Sequence, residues 1–304
     1  KTEMIILKSF IRKDITKSVL SGIEASFAKY IAVMDSDGQH RVKDLISMYN
    51  LILQNKKDLI IGSRNLEKIN DSVIKSKRKK ISVYTNKLIN FFFRFNLSDP
   101  LSGFFIIKRT LICPKIFINE ISGFKILFHL MIHTNRNKSI IEYPIKFEKR
   151  KYGESKLDIK IGYNFLIQFL TYLIPFNLPF KFVSFLTIGS FGVIIHMSIF
   201  YLTLKITSIF YVSHLIALTF ASINNFYLNN NLTFSDNKLI GTKNFLNGVS
   251  KYPLIAIITI TGSTFLSTKI FYYGISAYIA TIIGALIDSV FKFVVVQNFI
   301  WKKK

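Results

Sequence analysis

Cysteine and acidic residues are both scarce in this sequence. The only cysteine among the 304 residues is Cys113, so an intrachain disulfide and a thiolate metal cluster are excluded. Asp and Glu number 17 against 41 Lys and Arg, and nearly all of the acidic residues precede Ile161. The stretch from Phe182 onward is mostly apolar. This asymmetry predicts a water-soluble N-terminal part and a membrane-embedded C-terminal part.

The start of the chain lacks a methionine and the features of a signal peptide. Lys1 comes first, and no charged segment followed by an apolar one comes after it. We therefore expect no signal peptide in this sequence, and we interpret it as beginning after the start of a longer protein.

The formal net charge of +24 is typical of proteins that bind nucleic acid or an anionic membrane surface. The basic run at 75–80, KSKRKK, fits either partner. No recognisable nucleic-acid-binding pattern accompanies this run, whereas long apolar segments follow it downstream. We therefore predict a membrane partner and no nucleic-acid partner.

Short apolar runs alternate with amphipathic segments in the N-terminal half. Runs such as YIAVM at 30–34 are typical of buried parallel strands, and apolar residues at helical spacing predict the helices between them. Strands are predicted at 3–8, 30–34, 58–61, 103–108 and 140–144, and helices at 16–27, 42–54 and from the basic run to 95. This order predicts an α/β domain with a parallel sheet. Its ligands would bind beyond the carboxyl ends of the strands.

The remaining sequence predicts an interfacial helix and four membrane spans. Apolar residues recur every four positions from Leu157 to Phe169, which is typical of a helix that lies in the membrane interface. Spans of sufficient apolar length are predicted near 182–204, 209–228, 252–266 and 277–296. Lysines lie between the second and third spans and after the fourth, so both ends are expected to be cytoplasmic. We predict three regions: 1–156, 157–180 and 181–304.

The segment MDSDGQH at 34–40 is the clearest candidate for a functional site. Asp35 and Asp37 are separated by one residue and follow a predicted buried strand. Mg²⁺ or Mn²⁺ commonly binds one or two carboxylates together with phosphate oxygens, so this pair can hold a cation for a diphosphate. The alternative is a turn in which Asp37 accepts hydrogen bonds from backbone N–H groups.

MDSDGQH resembles the metal-binding segment of family 2 glycosyltransferases of the dolichol-phosphate mannosyltransferase type. The resemblance implies that Asp35, Asp37 and Gln39 coordinate Mg²⁺ or Mn²⁺ and the donor diphosphate. Three further segments match the family in the same order: Gly-Ser-Arg at 62–64, Asp-Pro-Leu-Ser-Gly-Phe-Phe at 99–105 and Arg-Lys-Tyr-Gly-Glu-Ser-Lys at 150–156. The family fold implied for the N-terminal part is a GT-A, Rossmann-like domain.

The region from Phe182 to Trp301 resembles the small four-helix membrane domain called GtrA-like. Its signature here is Ala-Ser-Ile-Asn-Asn-Phe at 221–226, followed by Leu-Thr-Phe at 232–234. The family begins with two segments, Pro-x-Tyr-Asn-Glu and Asp-Asp-Gly-Ser, that have no counterpart here. We therefore expect the sequence to begin near the third strand of the family's sheet, and we expect this chain by itself to bind the donor poorly.

The predicted roles divide between the donor and the acceptor. Arg64 at a strand end can clamp phosphate oxygens, with a surface ion pair as the alternative. The resemblance places Asp99 and Ser102 near the donor sugar and the acceptor phosphate, although a Pro-containing turn would explain the same residues. It also assigns Arg78 and Ser82 to the donor or acceptor phosphates.

The last motif lies directly before the interfacial helix. Arg150, Ser155 and Lys156 combine two cations with a hydroxyl, which suits a lipid phosphate headgroup; ordinary juxtamembrane basic charge is the alternative. The resemblance implies an inverting transfer of a sugar, with mannose favoured, from GDP-mannose or UDP-glucose to a polyprenyl or dolichyl phosphate at the cytoplasmic membrane face. Asp37, Asp99 and Arg150 are the predicted catalytic residues. The alternative is a non-catalytic membrane protein that binds or helps translocate lipid-linked sugar.

Two further pairs of polar residues have helical spacing. His129 and His133 lie four residues apart without the Glu of a zinc-protease motif, so we predict a packed or interfacial pair rather than a zinc site. Asp288 and Lys292 lie within the fourth predicted span, where charges are costly and usually paired. We predict a mutual salt bridge there, with contact to a lipid headgroup as the alternative.

Overall fold

The structure is a computed structural model that describes residues 15–35, 38–64, 76–114, 125–134, 139–146, 159–174, 176 and 178–302. The chain divides into two compact units, Lys1–Asn177 and Leu178–Lys304. The predicted limits of the three regions stay predictions. The predicted strand at 3–8 lies outside the described residues.

The first unit alternates helices with the strands of one sheet. Its elements are α1 (Ile15–Ala25), β1 (Tyr30–Val33), α2 (Val42–Gln54), β2 (Leu59–Ser63), α3 (Ser76–Phe93), β3 (Phe105–Lys108), α4 (Ile126–His133), β4 (Ile140–Pro144) and α5 (Ile159–Leu173). Each lies close to a predicted strand or helix, or, for α4, on the segment that carries the two histidines. The sequence pattern therefore located these elements correctly except for α4, which was not predicted as a helix.

The sheet is mixed, and the prediction of a parallel sheet was wrong. The strand order is β1-β3-β2-β4; β3 runs antiparallel to both of its neighbours, whereas β2 and β4 are parallel. Phe105 at the start of β3 pairs with Val33 near the end of β1 and with Ile61 in β2. The segment that leads into β3 therefore lies beside the carboxyl ends of β1 and β2.

The two central strands of the sheet, β2 and β3, are mostly buried on both faces. β2 is buried along its whole length, as expected for a central strand with helices on either side. Because side chains alternate between the two faces of a strand, Leu59 and Ile61 pack in one apolar cluster with residues of α1 and α4. Ile60 packs in another cluster with Met48 and Ile52 of α2. These two layers fix the strand ends that carry polar residues.

The second unit consists of four long helices: α6 (Phe180–Thr207), α7 (Phe210–Leu228), α8 (Thr242–Tyr272) and α9 (Ala277–Phe299). Among the described residues, three helical segments are long and apolar enough to cross a membrane: Phe180–Thr207, Thr242–Tyr272 and Ile282–Phe299. The remaining helix, α7, has 19 residues and carries His214, Asn224 and Asn225, which reduce its apolar character. The third predicted span, at 252–266, forms only the middle of α8. The number of spans stays a prediction.

The core of the second unit is built around Trp301, which follows α9 and is 1% exposed. Its ring stacks on Phe234 with ring centroids 4.4 Å apart. Its indole Nε1 donates a hydrogen bond to Asn230 Oδ1 at 2.9 Å, and Leu239 N donates to the same oxygen at 2.9 Å. These contacts join the loop between α7 and α8 to the end of α9.

Candidate active site

The segment from Ser98 to Phe104 forms the floor of a polar region at the carboxyl ends of β1 and β2. Gly62 N donates to Phe104 O at 2.9 Å, and the Ser102 hydroxyl donates to Gly62 O at 2.7 Å. Phe104 N in turn donates to Ser102 Oγ at 3.2 Å. Ser102 is 3% exposed, so in this structure its hydroxyl stabilises the segment. Its predicted contact with the acceptor phosphate stays a prediction.

Arg64 and Asp99 form a bidentate ion pair in this region. Arg64 Nε donates to Asp99 Oδ2 at 2.8 Å, and Nη2 donates to Oδ1 at 3.0 Å. The Asp99 side chain is fully buried, whereas that of Arg64 is 28% exposed. Burial disfavours the charged guanidinium, but the hydrogen bonds and charge of Asp99, together with the charge of Asp35, outweigh it and raise the pKa of Arg64. Arg64 is therefore a permanent cation held in one orientation.

The Glu142 carboxylate on β4 stabilises the backbone that carries Asp99. Glu142 Oε1 accepts hydrogen bonds from Ser98 N at 2.9 Å, Ser98 Oγ at 2.7 Å and Asp99 N at 3.2 Å. Ser98 Oγ also contacts Ser63 Oγ of β2. Hydrogen bonds to an ionised acceptor are stronger than neutral ones. Glu142 therefore fixes the backbone position from which Asp99 reaches Arg64.

Asp35 lies on the opposite side of the same segment. It follows β1, and its side chain is 51% exposed. A Cβ atom at Gly103 would lie 3.1 Å from Asp35 Oδ2, so a side chain at position 103 would crowd the carboxylate. His40 Nε2 lies 3.9 Å from Asp35 Oδ2, and the His40 ring packs against Phe104 with centroids 4.8 Å apart. These contacts hold the Asp35 carboxylate at the open edge of the sheet.

Lys125, directly before α4, adds a second cation to the region. Its Nζ lies 3.4 Å from Leu101 O. Burial and the positive charge of Arg64 lower the pKa of Lys125, while the charges of Asp99 and Asp35 oppose this shift. Two basic and two acidic side chains therefore lie within electrostatic range of one another at the carboxyl edge.

The donor set at this edge fits a hard divalent cation. Asp35 presents a half-exposed carboxylate at this edge, and Gln39, four residues later in the sequence, is half-buried and carries an amide oxygen. Oxygen ligands of this kind suit Mg²⁺ and Mn²⁺. Within the described parts of the chain no group of three or more His, Cys, Asp or Glu side chains is placed to hold a metal, and Asp37 lies outside those parts. The predicted metal ligands therefore stay a prediction.

Two family models match the chain. The model for Glycosyl transferase family 2 matches residues 4–113, and the model for the GtrA/DPMS transmembrane domain matches residues 184–301. The chain therefore contains a family 2 glycosyltransferase domain followed by a GtrA/DPMS transmembrane domain. This confirms the predicted resemblance, the combination of a GT-A domain with a helical membrane domain, and the prediction of a membrane-bound glycosyltransferase.

Curated relatives of this glycosyltransferase include two dolichol-phosphate mannosyltransferases. The protein from Pyrococcus furiosus is 23% identical over 299 residues, which cover 97% of this chain and 83% of the relative. The protein from Mycosarcoma maydis is 30% identical over 159 residues, which cover 51% of this chain and 53% of the relative. Among solved structures, glucosyl-3-phosphoglycerate synthase from Mycobacterium tuberculosis is 14% identical. That match covers 51% of this chain and 55% of that one, with a TM-score of 0.37.

The structure brings several of the predicted site residues of this glycosyltransferase together. Asp35, Arg64, Asp99 and Ser102 gather around the segment from Ser98 to Phe104. Ser82 is half-buried on α3, one turn before an asparagine whose side chain donates to Ser98 O. Four predicted residues lie outside the described residues: Asp37, Arg150, Ser155 and Lys156. Arg78 lies in α3, but its side chain is not among those described.

Sequence reasoning missed Glu142 and Lys125. Neither belongs to a motif that the resemblance covers. Glu142 is a single acidic residue in the apolar strand IIEYP, and Lys125 directly precedes the apolar helix ILFHLMIH. A charged residue inside or beside a buried apolar run usually has a partner, and this signal could have identified both.

The two histidines of α4 behave as the packed pair that we predicted. His129 is fully buried, and its ring lies 4.9 Å from that of His133. His129 Nδ1 also contacts the Tyr172 hydroxyl of α5. Burial raises the pKa of Tyr172 well above its ordinary value. These residues join α4 to α5.

Proposed function

We propose that this chain transfers a sugar, with mannose favoured, from GDP-mannose or UDP-glucose to a polyprenyl or dolichyl phosphate, with inversion at the anomeric carbon. The observation that carries the proposal is the Arg64–Asp99 ion pair beside Asp35 at the carboxyl edge of the sheet. The chain joins this edge to a membrane domain. Both curated relatives are named dolichol-phosphate mannosyltransferases, which supports mannose as the sugar and a dolichyl phosphate as the acceptor.

Arg64 is the side chain best placed to bind phosphate. Its guanidinium is oriented by Asp99 and remains 28% exposed, so part of it can contact a ligand. Lys125 supplies a second positive charge in the same region. We assign these two cations to the donor diphosphate, since a diphosphate needs more than one compensating charge.

The predicted metal ligands would act on the same phosphates. Asp35, Asp37 and Gln39 would hold Mg²⁺ or Mn²⁺, which when bound neutralises charge on the leaving nucleoside diphosphate. Asp35 faces the region that contains Arg64, since its charge contributes to the raised pKa of that residue. The protein thereby places a carboxylate and a guanidinium within electrostatic range of each other.

The acceptor requires orientation more than activation. A lipid phosphate oxygen is already anionic at neutral pH, so it can attack the anomeric carbon without a general base. As its bond to that carbon forms, the bond from the carbon to the donor diphosphate breaks, and the electron pair leaves with the diphosphate. We propose that Arg150, Ser155 and Lys156 hold the acceptor phosphate, with Arg78, Ser82 and Ser102 nearby. Orientation of this kind can supply much of the rate acceleration.

Exposed apolar residues in the first unit support a reaction at a membrane surface. One side of α3 exposes apolar and aromatic side chains: Val83, Tyr84, Leu88, Phe91 and Phe92. Contiguous apolar patches of this kind often contact membranes or other proteins, and the net charge of +24 suits an anionic cytoplasmic leaflet. We therefore propose a multi-pass protein with four spans whose catalytic unit faces the cytoplasm.

A transfer assay tests the proposal. The full chain, purified in detergent and supplied with polyprenyl phosphate and Mg²⁺, should move radiolabel from GDP-mannose into an organic-extractable lipid. The donor is supplied at high concentration, because this chain by itself is expected to bind it poorly. UDP-glucose in a parallel reaction tests the donor, and omission of the lipid acceptor is the control. Absence of lipid-linked label with either donor would contradict the proposal.

A further inference from the structure

The helix α3 has two different faces. Tyr84, Leu88 and Phe91 recur at helical spacing on the outer face, where they are 73%, 49% and 77% exposed. Ile89 on the inner face is fully buried and packs with Phe128 of α4. An exposed apolar surface of this kind marks an interaction site. The outer face of α3 is therefore a candidate docking surface.

The inner face of α3 holds the start of the segment that forms the floor of the candidate active site. Asn90 Nδ2 donates to Leu97 O at 2.6 Å, and Leu97 N donates to Asn90 Oδ1 at 3.2 Å. Asn86 is 6% exposed, and its Nδ2 donates to Ser98 O at 3.0 Å. Because Ser98 directly precedes Asp99, a displacement of α3 would displace the backbone that carries Asp99.

The apolar surface of α3 continues onto α5. The Phe92 ring lies beside that of Phe169 on α5, with centroids 5.7 Å apart, and Leu166 of α5 is 46% exposed. The six residues 174–179 lead from α5 to α6, which is long and apolar enough to cross a membrane. Because six residues reach at most about 25 Å, a membrane that α6 crosses lies near α5 and near the helix packed against it.

The charge of α3 suits an anionic surface. The helix begins within the basic run KSKRKK at 75–80, and Lys87 and Arg94 are exposed beside the outer face. The sequence from 72 to 98 contains no Asp or Glu. Long basic side chains can keep their charge among lipid headgroups while their stems contact apolar surface. An apolar face with basic flanks is typical of helices that lie in the interface of an anionic bilayer.

We propose that the outer face of α3 inserts into the headgroup region of an anionic bilayer, and that this contact holds the backbone before Asp99 in position through Asn86 and Asn90. The two asparagines are positioning residues, since they act on Asp99 only through that backbone. The docking rests on the two faces of α3. Only its consequence for sugar transfer, through the orientation of Arg64 by Asp99, rests on the proposed function.

Spin-label accessibility of the full chain in nanodiscs tests the docking. A nitroxide is attached at Leu88→Cys in a Cys113→Ala background, because Cys113 is the only native cysteine. Ile46→Cys is the matched control, since Leu88 is 49% and Ile46 is 56% exposed, but α2 packs against the opposite face of the sheet from α4. In nanodiscs of phosphatidylcholine and phosphatidylglycerol, we expect the ratio of oxygen to nickel-chelate accessibility to be several-fold higher at position 88 than at position 46.

Three results would overturn the docking. Equal ratios at the two positions would show that α3 faces water. A label at position 88 that neither reagent reaches would show that protein covers the outer face. An equal ratio at position 88 in nanodiscs without phosphatidylglycerol would show that the surface need not be anionic. These measurements use no sugar donor, so their outcome is independent of whether the chain transfers sugar.

Hydrogen exchange at the Leu97 amide tests the link to the active site, because this amide donates to Asn90. In the anionic nanodiscs, Phe91→Ser should weaken the docking of α3 and raise this exchange rate several-fold. Removal of phosphatidylglycerol should raise it in the parent chain as well. Phe27→Ser is the matched control, since Phe27 is 93% exposed but precedes β1, at the end of the sheet opposite the site. An unchanged rate in Phe91→Ser, or an equal rise in Phe27→Ser, would overturn the link.

Discussion

Replacement of Asp99 by Asn should remove the feature that orients Arg64. The carboxylate accepts two hydrogen bonds from the guanidinium, at 2.8 and 3.0 Å, whereas an amide presents only one acceptor and places an N–H group against a donor. Loss of one partner from a buried ion pair costs about 3–5 kcal/mol. Because Arg64 is 28% exposed, water offsets part of this cost, and we expect a loss of about 2–3 kcal/mol in the free energy of unfolding of the first unit.

The same substitution should reduce sugar transfer more than stability alone explains. An Arg64 side chain that is no longer held in one orientation contributes less to phosphate binding in the transition state, and we expect a fall of about 30–100-fold in kcat/KM, equivalent to ~2–3 kcal/mol. Since Arg64 and Asp99 act as a unit, the Arg64→Lys/Asp99→Asn double variant should lose little more than either single variant. Fully additive losses would refute the argument.

Stability and activity must be measured separately in this chain. Its only tryptophan, Trp301, lies in the second unit, so fluorescence does not report on the sheet, and hydrogen exchange of the β2 and β4 amides is the suitable measurement. Asp58→Asn is a matched control. Asp58 Oδ2 accepts hydrogen bonds from Ser139 N and Oγ at 3.1 and 2.9 Å, at the end of the sheet opposite the site. The Asp58→Asn substitution should increase hydrogen exchange in β4, while sugar transfer by the folded protein is retained. An equal loss of transfer in both variants would show that Asp99 matters only for stability.

Three further predictions follow from other contacts. In the transfer assay, Lys125→Met should lower kcat/KM by about tenfold, because the donor phosphates lose a cation. Lys125→Arg keeps the charge and should lower kcat/KM by less. Equal losses in the two variants would show that the charge of Lys125 is not what matters. Chelation with EDTA should abolish transfer, and Mg²⁺ or Mn²⁺ should restore it; activity that survives chelation would exclude the proposed metal. Phe234→Leu should destabilise the second unit by about 1–2 kcal/mol through loss of stacking on Trp301. Trp301 fluorescence on heating measures this loss. Phe220 is 58% exposed, so Phe220→Leu should leave the stability unchanged.

The positions of the strands could be predicted from the sequence, but their directions could not. Short apolar runs show that a strand is buried on both faces, and this property is the same in parallel and antiparallel neighbours. β3 starts at Phe105, opposite the end of β1, because the chain enters it from the carboxyl edge. Only the three-dimensional path of the connection between α3 and β3 determines this, and no periodicity in the sequence encodes that path.

The candidate site was predicted as separate residues rather than as a network. Motifs placed Asp35, Arg64 and Asp99 after a strand or at a turn, and the structure brings all three to the carboxyl edge, while their roles stay predictions. The pairing of Arg64 with Asp99 joins positions 35 residues apart, and the support from Glu142 comes from a strand 43 residues beyond Asp99. Contacts of this range depend on the order of strands in the sheet, which the sequence analysis did not predict.

The structure also changes the role that we assign to Asp99. Sequence reasoning placed it among the catalytic residues, but its side chain is fully buried and both of its oxygens accept hydrogen bonds from Arg64. A carboxylate in this position is poorly placed to remove a proton from a substrate. The proposed acceptor carries no proton that must be removed at neutral pH, so the reaction does not need a base there. Asp99 is therefore better interpreted as a positioning residue for Arg64, and the pH profile of kcat/KM should keep its shape in Asp99→Asn while its height falls. Loss of an ionisation from that profile would instead show that Asp99 acts as the base.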